Sequence, residues 1–65
     1  MDRIYDVCYK LKGEIDEKKT TFTVNERREF DKEMEYDSGL HAAIRNEGGT
    51  MGEEWFDYIR VKEQR

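Results

Sequence analysis

The chain contains no proline, and it has one cysteine, one histidine and one tryptophan. With Cys8 alone, no disulfide can close within the chain, and a lone thiol points to a reducing compartment. Cys8 and His41 together fall short of the four ligands that structural zinc takes. No apolar run approaches the ~20 residues of a membrane span. Residues 1–12 alternate charged and apolar side chains, unlike the apolar stretch of a signal peptide. These absences lead to the expectation of a soluble, cytoplasmic protein with no membrane contact, no metal and no cofactor.

Repeats and low-complexity runs are also missing. With 65 residues, the chain is expected to be one domain, 1–65, with a thin core, because a domain of ~60 residues buries only ~60% of its unfolded surface. Stability must then come from tight packing or from self-association, so a homodimer is one expected outcome.

Charge is abundant: 43% of residues are charged, and the net charge is -4. Residues 1–24 are balanced. Residues 25–57 carry ten acids against Arg27, Arg28, Lys32 and Arg45, and the last eight residues are mildly basic. An acidic surface repels phosphate backbones, which disfavours nucleic acid as a partner. Disorder would also fit such charge, but the apolar residues are organised and include eight aromatics.

Residues 3–15 alternate with a period of two. Tyr5, Val7, Tyr9, Leu11, Gly13 and Ile15 fall on one side, which predicts a half-buried strand. Asp16–Lys19 reads as a turn and Thr20–Val24 as a second strand. A turn centred on Glu17 and Lys18 sets Leu11 opposite Val24 and Gly13 opposite Phe22, completing a hairpin over 3–24. Thr23-x-x-Glu26 resembles a capping box, with Asn25 as a second cap candidate. A helix from about 26 to 36 follows, with Phe30 and Met34 on its buried side. Asp37-Ser38-Gly39 predicts a break, after which a short helix carries Leu40, Ala43 and Ile44 to the end of a helical region at 46. Gly48-Gly49 stops it and opens a connector, 48–52, with Met51 exposed at its tip. Residues 54–62 are expected to form a strand with Trp55, Ile59 and Val61 on one side. A helix competes there, because Thr50-x-x-Glu53 is also a capping pattern.

The fold class expected is α+β: a small β-β-α-β domain whose antiparallel, meander-like sheet has helical segments packed on one face. The alternative is the N-terminal hairpin followed by helices only.

No pattern carries catalysis. Cys8 and His41 are one nucleophile type and one base type, with nothing to unite them. Asp37 and His41 are one helical turn apart, a spacing typical of a surface pair. Gly48-Gly49-Thr50-Met51-Gly52 lacks the lysine of a phosphate loop and leads into Glu53 and Glu54, which repel anions. No calcium-loop pattern is present, and the chain has little volume for a small-molecule substrate pocket.

What remains is binding. The eight aromatics exceed what one small core face can hide, and Tyr and Trp anchor interfaces. Glu26, Glu29, Glu33 and Asp37 would form an acidic ridge along a helix. The expected partner-binding residues are therefore Trp55, Phe56, Tyr58, Met51, Glu26, Glu29, Glu33 and Asp37. The chain reads as a non-catalytic protein that binds and modulates or inhibits another protein, in the manner, by analogy, of small accessory proteins of phages and mobile elements. A self-assembling scaffold is the alternative. Weaker ones are a DNA mimic, for which the charge is sparse, and a nucleic-acid binder using Arg60, Lys62 and Arg65.

Overall fold

A computed structural model describes residues 2–27 and 29–64. Strands β1 (Arg3–Leu11) and β2 (Lys18–Val24) form an antiparallel hairpin, α1 (Lys32–Asn46) follows, and a 3-10 turn (Glu53–Trp55) leads into β3 (Phe56–Glu63). The fold is α+β, a three-stranded antiparallel sheet with one helix. The strand order is β2-β1-β3. The sheet is therefore not a meander: α1 carries the chain over β1, and β3 pairs on the far side of it. Among the described residues no helix is long and apolar enough to cross a membrane.

β1 is central because its alternation is strict. Tyr5, Val7, Tyr9 and Leu11 are buried, while Asp6, Cys8 and Lys10 face the uncovered side. It ends four residues earlier than the alternation suggests. Gly13 takes φ +84°, Glu14 N–H donates to the Leu11 carbonyl at 3.1 Å, and Lys12 N–H turns to the Trp55 carbonyl at 2.9 Å. Ile15 consequently lies in the loop, 93% exposed, not on the inner face. The hairpin register follows the longer loop: Tyr5 pairs with Phe22, Val7 with Thr20 and Tyr9 with Lys18. Leu11 and Gly13 thus lose the Val24 and Phe22 partners expected for them. Alternation fixes which face a residue takes but not how far the strands slide by even steps.

β3 contains one irregularity with a large effect. Lys10 pairs with Tyr58 but Leu11 with Phe56, so Asp57 is an extra residue in the ladder. A bulge of this kind reverses the facing of everything before it. Phe56 joins Ile59 and Val61 on the inner face and is 7% exposed, whereas Trp55, expected there, is 58% exposed. Phe56 meets Tyr9 edge-on at 5.6 Å between centroids.

The helical region is one helix, not two. Asp31 caps it, its Oδ1 accepting from Met34 N–H at 2.9 Å. Glu33 and Glu35 lie in the first turn and Arg45 in the last, as the helix dipole favours. Asn25 instead makes a local turn, with its Oδ1 accepting from Arg27 N–H at 2.9 Å, which keeps the chain out of helix there. No break occurs at Asp37-Ser38-Gly39. Gly39 is buried in the helix because the helix touches β3 at that point: a Cβ at 39 would lie 2.3 Å from Cγ2 of Val61. The buried stripe is Gly39, Ala42 and Ala43, so α1 approaches the sheet closely. Gly48 and Gly49, both at positive φ, close the helix by donating to the carbonyls of Arg45 and Ile44.

The core is Val7, Tyr9, Leu11, Ala42, Ala43 and Phe56, with Phe22, Leu40, Ile44, Met51, Ile59 and Val61 packed around it. Met51 is therefore half-buried against the core, not exposed at a loop tip. Its flexible, polarizable side chain suits such an irregular position at the core's margin.

Gly39→Ala is expected to lower stability by about 1–3 kcal/mol through overpacking, despite the roughly 1 kcal/mol that alanine gains as a helix former. In urea titrations the cost should shrink in the Gly39→Ala/Val61→Ala double variant, since Val61→Ala removes the obstructing methyl.

Candidate interaction site

Three polar groupings stand out. The first lies where α1 ends over β1. Tyr9 has no exposed surface, yet its hydroxyl is fully used: it donates to Glu47 Oε2 at 2.6 Å and accepts from Asn46 Nδ2 at 2.6 Å. Lys18 Nζ donates to both Glu47 oxygens at 3.0 and 3.1 Å and approaches Glu14 at 3.4 Å. The Tyr9 hydroxyl, and then Lys18, hold the Glu47 carboxyl below the usual range. Burial, reinforced by the hydrogen bond to Glu47, pushes the Tyr9 phenol up. With its central hydroxyl sealed, this grouping is a tie between sheet and helix.

The second lies on the uncovered sheet face. Glu17, from the hairpin loop, reaches across β1 to accept from the Tyr58 hydroxyl and from Arg60 Nη2, the latter at 2.6 Å. The Arg60 guanidinium sits 4.8 Å from the Tyr58 ring centroid. Tyr58 and then Arg60 hold the Glu17 carboxyl low. Cys8, Asp6, Arg60 and Lys62 line the hollow beside this strap. Cys8 is on this face and His41 is exposed on the helix, so the sheet separates the two. Asp37 and His41 are 3.7 Å apart and both exposed.

The third is at the start of α1. Glu29, Phe30, Asp31 and Met34 line one open hollow of about 280 Å³. Lys32, Glu33, Met34, Tyr36 and Asp37 line a neighbouring one of about 630 Å³, and the two share Met34. Met34 is 41% and Tyr36 43% exposed, and the Tyr36 hydroxyl is anchored on Glu53 Oε2 at 2.7 Å. Phe30 precedes the helix and lies against Tyr5 and Phe22 at 5.3 and 6.1 Å between centroids.

The expected binding residues are thus dispersed. Glu33 and Asp37 are exposed on α1 one turn apart, but Glu26 and Glu29 precede the helix, so no continuous four-carboxylate ridge exists. Glu29 returns to the patch through its hollow. Phe56 is in the core because of the bulge, Met51 packs beside it, and Tyr58 is tied to Glu17. Trp55 remains accessible. Sequence reading assigned Met34 to the core because it assumed a helix from residue 26, and it passed over Tyr36. The Asp31 cap was the available signal, since it leaves Phe30 outside the helix and so removes the residue that would have placed Met34 on the buried side. Among the described residues no group of three or more His, Cys, Asp or Glu side chains could hold a metal ion. No protein-family model, curated protein or solved structure matches the chain.

Both Glu47 and Glu17 have depressed folded pKa values. Such a carboxylate contributes stability that is complete above its unfolded value, near 4.5, and that is lost as the pH falls through the folded value. Denaturation midpoints should therefore drop on acidification below about pH 4.5. Glu47→Gln should flatten that drop while lowering stability at pH 7, as urea titrations across pH would report.

Proposed function

We propose that this chain is a non-catalytic binding protein that modulates or inhibits a protein partner, docking a basic, partly apolar surface on the start of α1. The observation that carries this reading is the exposure of Met34 and Tyr36 among Glu33, Asp37, Glu29 and Asp31. Methionine adapts to irregular surfaces, and tyrosine supplies a large contact with little entropy to lose. The surrounding carboxylates would steer a cationic partner and hasten encounter, with the apolar pair supplying most of the affinity. Trp55 adds a further exposed ring near the start of β3.

Nucleic acid is less well supported. On the uncovered face Lys10 is paired with Asp57 at 2.9 Å and Arg60 with Glu17 at 2.6 Å, which leaves little net positive potential for phosphates.

Affinity capture from the native host with immobilised wild-type protein, run beside a Met34→Ala/Tyr36→Ala variant, tests the reading. A basic protein should be retained by the wild type and released by high salt. The double variant should bind it with a loss of about 2 kcal/mol or more, roughly thirtyfold. If both forms retain the same proteins equally, the patch is not the binding site.

A further inference from the structure

The sheet has two free edges, β2 and β3, flanking β1. Free edges invite pairing with another chain, and proteins defend them with charges and bulges. β3 is defended. It has the bulge at Asp57, and Asp57, Arg60, Lys62 and Glu63 are charged. β2 is charged only at its start. Its sequence is Lys-Lys-Thr-Thr-Phe-Thr-Val; Lys18 is turned inward to Glu47 and Lys19 is exposed. From Thr20 to Val24 there is no charge, glycine or bulge. Among the described residues, no backbone hydrogen bond outside the β1 ladder reaches this strand.

We propose that a second copy of this chain pairs antiparallel along β2, joining two three-stranded sheets into one of six strands about a two-fold axis at Thr21. Alternation restricts the register to pairings that keep inner residues with inner ones. Centring on Thr21 engages all seven residues of β2. Thr21 meets Thr21, Lys19 meets Thr23, Thr20 meets Phe22, and Lys18 meets Val24. No lysine opposes a lysine, and the Thr–Thr and Thr–Phe pairs are favourable neighbours. Phe22 is only half-buried and stacks on Tyr5 at 5.0 Å; the partner's Thr20 would cover its open flank. In this register each Lys18 and Lys19 stands opposite an uncharged Val24 or Thr23 of the other copy, so a second copy fits the whole seven-residue edge without setting like charges against each other. A domain with so thin a core also gains most from association.

Two measurements test this. In a Cys8→Ser background, Thr21→Cys should oxidise to a disulfide-linked dimer, since paired strands hold opposed Cα atoms about 4.5–5.5 Å apart. Thr23→Cys should not, because its two copies would stand four residues, about 13 Å, apart along the ladder. Light scattering on the unmodified protein should show a dimer at high micromolar concentration, and Thr21→Lys, which sets like charges together at the axis, should raise its dissociation constant about tenfold. Thr21 is exposed, so these changes stay out of the core, and circular dichroism verifies folding. If Thr21→Lys does not fold, the cross-linking pair decides alone. A monomer at every concentration, equal cross-linking of both cysteine variants, or a dimer indifferent to a folded Thr21→Lys overturns the proposal.

Discussion

The hydroxyl of Tyr9 is the constraint around which the molecule is arranged. The ring lies in the apolar layer between sheet and helix, and a buried hydroxyl without partners costs about 1–3 kcal/mol. Satisfying it requires Asn46 and Glu47 to sit directly above β1, which fixes where α1 ends. Glu47 then needs a cation, and Lys18 supplies it from the first residue of β2. One oxygen thus joins the central strand, the edge strand and the helix C-terminus. The far end of the layer is held differently, by Tyr5, Phe22 and Phe30 in mutual ring contact. Between the two ends, Gly39 sets the depth at which helix and sheet meet.

This arrangement consumes most of the aromatic surface. Tyr5, Tyr9 and Phe56 are buried, and Phe22 and Phe30 pack around them. Tyr58 is drawn into the Glu17–Arg60 strap. The surplus that a small core cannot hide is therefore Tyr36 and Trp55. Tyr36 lies on the helix, away from the uncovered sheet face where aromatic stacking surfaces would be expected in a nucleic-acid binder, and Trp55 ends the 3-10 turn that leads into β3.

What could be read from the sequence was periodicity wherever a strand ran undisturbed. β1 alternates without exception, and the buried set Tyr5, Val7, Tyr9 and Leu11 is visible in it directly. Three features were not visible because they violate periodicity. The bulge at Asp57 exchanges Trp55 for Phe56 on the inner face, and a one-residue insertion leaves no mark in composition. The buried stripe of α1 is made of Gly39, Ala42 and Ala43, whose small size permits close packing yet gives almost no hydrophobic signal. The hairpin register shifts by an even number of residues, which alternation cannot detect. The acidic patch inherits the second difficulty. Once the helix begins at Lys32, after the Asp31 cap, and not at Glu26, Met34 and Tyr36 emerge on the surface and the ridge of four carboxylates dissolves.

Covering only one face of the sheet also decides how the remaining surfaces relate to one another. A two-fold axis through Thr21 would run perpendicular to the sheet, so both copies of α1 would rise on the same side. The two patches around Met34 and Tyr36 would then be presented together, and a partner with two basic sites, or two partners side by side, would be held by both at once. A second contact made within one complex gains from effective concentration without any new interaction. Pairing through β3 would work against this: it would use the edge that carries the bulge and place Trp55 near the seam. The helix-covered, one-sided sheet thus makes strand pairing and patch docking compatible, because the first uses an edge and the second a face.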